Sequence, residues 1–432
     1  MLLSSVLAGC QGGGRPAVLR AQPGPILLVG LDGFEWDIVL RMLPEGRLPV
    51  VRGLMERGTF GLLKSQLPSI SPVIWTTIAT GKPPDKHGVH GFIHEAAVGE
   101  QPRLYTSQDR RTKAFWNIFS EHGRRVHVVG WWLTYPVEPI NGVMVAQANT
   151  LQVAKQRHML WKGGLVDGLA DQVHPPERQA AFLEMTTHVQ GDLRALMNDV
   201  FGGGDGRGRP RTRALAQETK WALRADAVYE RIALVLLTEK PTADLVAVYF
   251  GGTDVVGHRF WPDPPAAPVT SVPAAEAFGG AIPRYYAHVD AALGRFLKAC
   301  PDGTTVVVLS DHGMGPHGHL DGPDGFLVAA GPRIRNGAAP VDGLTRAALP
   351  TLGSTLDVTP TLLRLAGLPL AKDMDGRVME GLLPAAPTPR SPSSAVATYD
   401  TEQWLADRRA RPRAPDMDPD RLEQLRSLGY IK

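Results

Sequence analysis

Several places in the sequence put an acid, an imidazole or a hydroxyl where chemistry is expected. The clearest is the stretch 304–313, in which the β-branched run Thr304–Leu309 is followed by Ser310, Asp311 and His312. Such a run is typical of a buried strand. In open α/β sheets, ligands gather outside the carboxyl ends of the strands. The sequence therefore predicts that Asp311 and His312 lie at a functional edge of a sheet.

Two other apolar runs end in residues of the same kind. Asp32 follows Ile26–Leu31, and Asp254 and His258 follow Asp244–Phe250. The spacing of Asp254 and His258 puts both on one face of a helix, and their oxygen and nitrogen atoms suit Zn²⁺. A carboxylate that follows a strand also often caps the next helix. Asp32 by itself therefore does not indicate a metal or phosphate site.

A serine lies at the predicted start of a helix. Ser71 is followed by Pro72, which predicts an N-cap and a proline at the first helical position, and the helix is expected to end at Gly81. Free N–H groups and the helix dipole favour an anion there. Ser71 is therefore a candidate nucleophile towards phosphate, and a plain capping serine is the alternative.

Together these residues form a candidate site for phosphoryl chemistry. Two divalent cations about 3.5–4 Å apart can clamp the attacking and leaving oxygens of an in-line displacement. One cation would need a mixed Asp/His shell in contact with the nucleophile, and the other would leave positions open for substrate and water. The set is Asp32, Ser71, Asp254, His258, Asp311, His312 and one of His317 and His319, which lie in a Gly-rich loop.

The composition limits the class of protein. The chain has 432 residues, 43% apolar and 21% charged residues, and a formal net charge of +3. These values indicate a folded core, and without a basic, aromatic-rich stretch they disfavour binding of a nucleic acid polymer. Helical and apolar segments alternate, which predicts an α/β fold with a mostly parallel sheet.

The chain is predicted to fall into five parts. No later stretch is long and apolar enough to span a bilayer. The parts are a leader and tether over 1–24, a first part of a catalytic α/β core over 25–150, a helical insertion or cap over 151–240, a second part of the core over 241–385, and a peripheral C-terminal tail over 386–432.

The first residues resemble a lipoprotein signal. Leu7–Cys10 resembles the lipobox at which bacterial lipoproteins are cleaved and acylated on the cysteine, and Gln11–Gly14 would form a tether. We expect a periplasmic or cell-envelope lipoprotein, held at the membrane through an acylated Cys10. The segment has no positively charged n-region. A true start upstream of Met1 and a chance match both stay open, and the alternative location is cytoplasmic.

The motifs resemble the alkaline phosphatase superfamily, and within it the type I phosphodiesterase/nucleotide pyrophosphatase-like branch. The resemblance runs from about Ile26 to Leu383. It rests on Val29–Gly33, Pro68–Ser71 with Thr80–Gly81, His87–Gly88, Asp254 with Gly257–His258, Ser310–Gly313, and His319 ahead of Ala330–Pro332.

The resemblance implies a fold and a set of roles. The fold would be an alkaline-phosphatase-like three-layer sandwich with a mostly parallel central sheet and a helical insertion. Ser71 stands where the family has its nucleophile, and His319 resembles the family's last metal ligand, with His317 in reserve. One cation would then take Asp32, Asp311, His312 and Ser71, and the other would take Asp254, His258 and His319.

Two departures from the family pattern limit what the resemblance implies. Residues Val89–Ile93 lack the Asn that holds phosphate in nucleotide pyrophosphatases, which puts nucleotide specificity in doubt. A Cys-x-Pro-x-Arg-like sulfatase signature is absent from the sequence, which disfavours sulfate esters.

The function expected from this reasoning is phosphoric ester hydrolysis. Two divalent ions, Zn²⁺ or alternatively Mn²⁺, would assist a phosphoserine route at Ser71 on a small-molecule, lipid or nucleotide phosphate ester. A phosphotransferase or phosphomutase could use the same site. The alternative outside enzymes is a degenerate, surface-anchored binding lipoprotein.

Overall fold

A computed structural model describes most of the chain. The described residues are 24–94, 103–147, 164–202, 210–261, 280–315, 318–320, 322–337, 340–385 and 395–410. Cys10, His317 and the glycine-rich stretch 203–209 lie outside these ranges. So do most residues of the predicted leader.

Within these ranges the chain forms eleven strands and eleven α-helices. The strands are β1 Ile26–Leu31, β2 Gly58–Lys64, β3 Ile93–His94, β4 Arg103–Leu104, β5 Val126–Val129, β6 Gly142–Val145, β7 Val173–His174, β8 Leu245–Phe250, β9 Thr305–Leu309, β10 Gly325–Ala330 and β11 Thr351–Ser354. The helices are α1 Trp36–Met42, α2 Pro49–Glu56, α3 Ser71–Thr80, α4 Pro84–His87, α5 Phe115–Glu121, α6 Gln179–Phe201, α7 Pro210–Thr238, α8 Gly252–Phe260, α9 Ala281–Ala299, α10 Val358–Leu365 and α11 Glu402–Arg409.

Nine of the described strands form one central sheet. Its order is β11-β2-β10-β9-β1-β8-β5-β6-β7, and β3 pairs with β4 in a separate hairpin. Strand β1 pairs in parallel with β8 on one side and with β9 on the other. Strands β10 and β7 pair antiparallel with their neighbours, while the other neighbouring pairs are parallel. The sheet is therefore mostly parallel, as predicted.

Helices cover both faces of this sheet, because side chains alternate between faces along each strand. In β1, Leu27 and Val29 belong to one apolar core, and Ile26 and Leu28 belong to the other. The first core includes side chains of α1, α2, α6, α7 and α9. The second includes side chains of α3, α5 and α10. This is a three-layer α/β sandwich, and the predicted fold class is confirmed.

The predicted insertion contributes to one of these layers. Helices α6 and α7 pack against each other, and α7 also packs against β8. Leu193 of α6 and Tyr229 of α7 are buried in the first core. These helices therefore help to cover the sheet.

Strand β2 shows why the sequence pattern did not predict every strand. It contains Gly58 and Gly61, and glycine is uncommon within strands. A Cβ at Gly58 would lie 2.1 Å from the carbonyl oxygen of Ala329, and one at Gly61 would lie 2.2 Å from that of Pro350. The glycines therefore allow neighbouring backbone to approach closely.

In the described part of the chain, no helix combines the length and apolar character needed to cross a membrane.

Candidate metal centre

The order of the strands explains why distant residues meet. Asp32 follows β1, Asp254 lies in the helix that follows β8, and Asp311 and His312 follow β9. Because β9, β1 and β8 are adjacent and parallel, their carboxyl ends lie at the same edge of the sheet. The loop from β9 to β10 adds His319 at this edge.

The first group of side chains surrounds the hydroxyl of Ser71. Its Oγ lies 3.5 Å from Oδ1 of Asp32 and 3.5 Å from Nε2 of His312. The same Nε2 lies 3.3 Å from Asp32 Oδ1 and 3.3 Å from Asp311 Oδ2. All four residues are buried. A hydroxyl, two carboxylates and an imidazole therefore converge on one small volume.

The second group is centred on Asp254. Its Oδ1 lies 3.4 Å from Nε2 of His258, one turn along α8, and 3.6 Å from Nε2 of His319. The ring of His319 stacks on that of His312 with 3.9 Å between centroids, which places the two groups side by side. A backbone hydrogen bond of 3.0 Å from Ser69 to Leu320 joins the loop before α3 to the loop that carries His319.

Gly33 lets the turns after β1 and β8 approach each other. Its φ is +62°, a value that glycine adopts readily. A Cβ at this position would lie 3.1 Å from Oδ1 of Asp254. The N–H of Gly33 also donates to Asp311 Oδ1 at 3.4 Å. The glycine that follows Asp32 therefore contacts ligand candidates from both neighbouring strands.

The donor atoms fit divalent cations. One set with suitable geometry is Asp254, His258 and His319, and a second is Asp32, Asp254 and His312, with the potential ligand atoms of each set within 4.8 Å of one another. Asp254 belongs to both sets, and Asp311 lies beside the second through its contact with His312. Mixed carboxylate and imidazole donors are those that Zn²⁺ prefers.

Burial and mutual charge perturb these groups strongly. Burial and the negative charge of Asp32 raise the pKa of Asp311 well above its ordinary value. Burial opposes ionisation of Asp254, but the charges of His258 and His319 outweigh it and hold the pKa of Asp254 well below its ordinary value. Crowded buried carboxylates of this kind are stabilised by cations.

The pKa values of the two stacked histidines, His312 and His319, are shifted in opposite directions. Burial opposes a charge on His312, but Asp311 and Asp32 outweigh it and raise the pKa of His312 to about 10. Burial and the charge of His312 lower the pKa of His319 to about 4. A metal is bound by the neutral imidazole, so cation binding at His312 would displace a proton at neutral pH and binding at His319 would not.

The predicted capping role of Ser71 is wrong. Helix α3 has Ile70 at its N-cap, with extended backbone angles, and Ser71 is the first helical residue. The Ser71 hydroxyl is directed at Asp32 and His312. The predicted end of the helix at Gly81 is correct, and Gly81 has a φ of +69°.

Two buried carboxylates hold the turns of the site in place through hydrogen bonds. Neither was singled out from the sequence. Glu35 accepts hydrogen bonds from the N–H groups of Asp37 and Met314 and pairs with Arg346, so it ties the turn after β1 to the turn after β9. Burial, which outweighs Arg346, raises the pKa of Glu35. The local sequence does not predict this role, because an acid before a helix is expected only to cap that helix.

Asp226 of α7 holds the turn between β8 and α8 through hydrogen bonds. It accepts hydrogen bonds from the N–H groups of Gly251 and Gly252, at 3.0 and 2.9 Å, and from the hydroxyl of Tyr285. Burial raises the pKa of Asp226 to about 7 despite these donors. An acid in a long amphipathic helix gives no sequence signal for such a contact.

Comparisons with known proteins agree with this architecture. The fold is similar to a 2-O GAG sulfatase, at a TM-score of 0.51 and 16% identity over 86% of this chain and 76% of that one. A putative sulfatase from Bacteroides thetaiotaomicron has a TM-score of 0.50 and 14% identity over the same shares. Human ectonucleotide pyrophosphatase/phosphodiesterase 5 has a TM-score of 0.47 and 12% identity, over 83% of this chain and 99% of that one.

At these identities the likeness to the two sulfatase structures establishes the fold alone. No curated protein sequence matches the chain significantly. The family model described as type I phosphodiesterase/nucleotide pyrophosphatase matches residues 26–353, which is well over half of the chain and covers every residue of the candidate site. The chain therefore belongs to the type I phosphodiesterase/nucleotide pyrophosphatase family, a membership that supports a phosphoester hydrolase.

Proposed function

We propose that the protein is a two-metal-dependent phosphoric ester hydrolase that acts through a phosphoserine at Ser71. The observation that supports this most strongly is the position of the Ser71 hydroxyl, 3.5 Å from both Asp32 Oδ1 and His312 Nε2. A serine oxygen among buried ligand atoms supports a role in attack on phosphorus rather than in capping the helix.

The residues divide into two ligand groups. Asp32, Asp311 and His312 would hold one divalent cation beside Ser71, and Asp254, His258 and His319 would hold the other. Bound Zn²⁺ or Mn²⁺ would supply positive charge for the phosphate oxygens and favour ionisation of the Ser71 hydroxyl. Zn²⁺ is our choice because three of these six ligands are imidazoles.

The proposed reaction has two displacements. Ser71 Oγ forms a bond to phosphorus, the bond from phosphorus to the alcohol oxygen breaks, and the alcohol leaves with a proton. Water then attacks the phosphoserine, the Ser71 Oγ–phosphorus bond breaks, and the serine regains its proton. Because the donor atoms are held in place by buried contacts, little reorganisation accompanies either step.

The substrate is proposed as a small-molecule, lipid or nucleotide phosphate ester. Sulfate esters are not proposed, although two of the structures with a similar fold are described as sulfatases, because the sequence lacks the sulfatase signature. An alcohol acceptor in the assay separates hydrolysis from phosphotransfer, since a transferase would form a new ester.

The test combines a substrate panel with a Ser71→Ala variant. Phosphomonoesters, an aryl phosphodiester and nucleotide pyrophosphates are assayed with and without a chelator. We expect metal-dependent hydrolysis that Ser71→Ala abolishes while elemental analysis shows unchanged metal content. Ser65→Ala, in the loop before α3, is the matched control. Near-full activity of Ser71→Ala would rule out the covalent route, and wild-type protein that takes up no divalent metal would revive the binding-protein alternative.

We also propose that the protein is held at the cell envelope through an acylated Cys10. The support is the Leu7–Cys10 sequence alone. Labelled fatty acid should be incorporated in a bacterial host and be lost in Cys10→Ser. Equal labelling of the wild-type protein and the Cys10→Ser variant would contradict the proposal.

A further inference from the structure

The carboxylate of Asp32 is held from behind by three aromatic side chains. Its Oδ2 accepts hydrogen bonds from Nε1 of Trp75 and Nε1 of Trp132, each at 3.2 Å, and from the hydroxyl of Tyr249. Its Oδ1 is the oxygen that lies near Ser71. Oδ1 therefore faces Ser71, and Oδ2 is held by the aromatic side chains.

Helix α3 contacts both oxygens of this carboxylate. Ser71 and Trp75 are one helical turn apart and lie on the same face. Ser71 contacts Oδ1 of Asp32, and Trp75 donates to Oδ2. The position of the helix that carries the serine is thereby fixed relative to a proposed metal ligand.

The indole of Trp75 has little freedom to move. It packs edge-on against Trp131 and Tyr249, with 5.1 Å between ring centroids in each pair. It also lies over Gly30 of β1, where a Cβ would come within 2.6 Å of its ring. The glycine two residues before Asp32 therefore makes room for the indole that holds Asp32.

The other two donors form a small network. Trp132 Nε1 lies 2.8 Å from the hydroxyl oxygen of Tyr249, and that hydroxyl donates to Asp32. Linked hydrogen bonds of this kind polarise and strengthen one another in a buried site. Both Trp75 and Tyr249 are buried in the second core, so the network is anchored in the sheet.

We infer that Trp75, Trp132 and Tyr249 are positioning residues that keep Asp32 a one-oxygen metal ligand and align Ser71 with the metal. Turning the carboxylate to present both oxygens would break the hydrogen bonds from Trp75 and Tyr249, and also the contact with Trp132, whose one N–H is shared with the Tyr249 hydroxyl. The donors are neutral, so they hold the carboxylate without placing a positive charge beside the cations, as a Lys or Arg would. The inference rests on the proposed metal-dependent function.

The test is a Zn²⁺ titration by calorimetry on the metal-stripped full chain. Tyr249→Phe removes one hydroxyl and Trp75→Phe removes one N–H, and each keeps an aromatic ring. Hydrogen-bond partners of metal ligands typically change metal affinity 10–100-fold. We expect one of two Zn²⁺-binding steps to weaken by about 10-fold or more, with the other step unchanged.

Trp116→Phe is the matched control. Trp116 is buried in the same core, and its Nε1 donates at 2.9 Å to a different carboxylate, that of Glu138. This change should lower thermal stability and leave both Zn²⁺-binding steps as in the wild type. A second readout is rescue, since hydrolysis by Tyr249→Phe should recover at high Zn²⁺ concentration if the defect lies in metal binding.

The outcomes separate this inference from the function on which it rests. Wild-type protein that binds neither Zn²⁺ nor Mn²⁺ overturns both. Wild-type protein that binds Zn²⁺, while folded Tyr249→Phe and Trp75→Phe bind it with unchanged affinity, overturns the inference and leaves the proposed function standing. Equal weakening by Trp116→Phe would also overturn it, because the effect would then follow from loss of stability.

Discussion

Asp226 accepts a 2.9 Å hydrogen bond from the backbone N–H of Gly252, the first residue of helix α8. A side chain of α7 thus binds the start of the helix that carries Asp254 and His258. A carboxylate in this position satisfies N–H groups that have no partner within their own helix. Helix α7 is therefore connected directly to one of the two ligand groups.

Replacing Asp226 with Ala should weaken this ligand group. The change leaves two backbone N–H groups and the hydroxyl of Tyr285 without their acceptor, at a cost of about 1–3 kcal/mol in the free energy of unfolding. We expect Zn²⁺ affinity at Asp254, His258 and His319 to fall as well, measured by calorimetry. Asp192→Ala, which removes an exposed ion pair with Arg231, is the control and should change neither quantity. Wild-type Zn²⁺ binding by Asp226→Ala would contradict the connection.

Replacing Gly313 with Ala should disturb the turn after β9. The added Cβ would lie 2.0 Å from Oε2 of Glu35 and 2.7 Å from Pro323. Glu35 cannot move aside freely because it is held by Met314 and Arg346. We expect a loss of about 1–3 kcal/mol in stability and a lower hydrolysis rate.

The control for this change is another glycine-to-alanine substitution. A Cβ at Gly191, within α6, meets nothing within 4 Å, so Gly191→Ala should stabilise the protein by up to about 1 kcal/mol. Urea unfolding measures both variants. Equal stability of Gly313→Ala and wild type would show that the turn can adjust.

The stability of the protein should fall in acid because of Glu138. Burial opposes its ionisation, but Arg110 and Arg408 outweigh burial and lower the pKa of Glu138 from 4.5 to about 2. A lowered folded-state pKa gives stability that is present above pH 4.5 and is lost as the pH falls towards 2. The shift corresponds to about 3 kcal/mol.

Urea unfolding between pH 6 and pH 3 measures this effect. The free energy of unfolding should fall more steeply with acid in the wild type than in Glu138→Gln. The variant should be less stable at pH 7 by about 3–5 kcal/mol, because two buried guanidinium groups lose their counter-charge. The exposed Glu402→Gln in α11 is the control. Parallel pH curves for wild type and Glu138→Gln would be the contrary result.

Removing divalent metal should lower the melting temperature. Asp32, Asp254 and Asp311 are buried close together, so a cation that binds only the folded chain stabilises it by mass action. Zn²⁺ at 100 times its dissociation constant should add about 2.7 kcal/mol per site. Differential scanning calorimetry with Zn²⁺ and with a chelator measures the change. Asp254→Asn, which alters the proposed site formed with His258 and His319, should reduce the difference, and a melting temperature that does not change with Zn²⁺ would contradict the proposed metal sites.

The sequence was most informative where a rule is local. The apolar run Ile26–Leu31 forms a strand with the same bounds in the structure. The spacing of Asp254 and His258 predicted one helical face, and both residues lie in α8. In such cases, the periodicity of the chain and the ends of the strands determine where side chains point.

The rest depended on contacts between distant parts of the chain. Ser71 looks like a capping residue until Asp32 and His312 are placed beside it. Asp226 resembles an acid on a polar helix face, yet its two backbone partners lie 25 and 26 residues further along the chain and Tyr285 lies 59 residues further. Long-range contacts of this kind override local preference, and a single sequence gives no signal for them.

The position of β1 has a consequence for synthesis of the chain. This strand is the first of the described strands to be synthesised, yet both of its neighbours, β8 and β9, come from the second half of the sequence. Until residue 309 has been added, at least one edge of an entirely apolar strand has no partner. Exposed strand edges recruit other chains, so a nascent or truncated chain that ends before β9 is the form of this protein most in need of a chaperone.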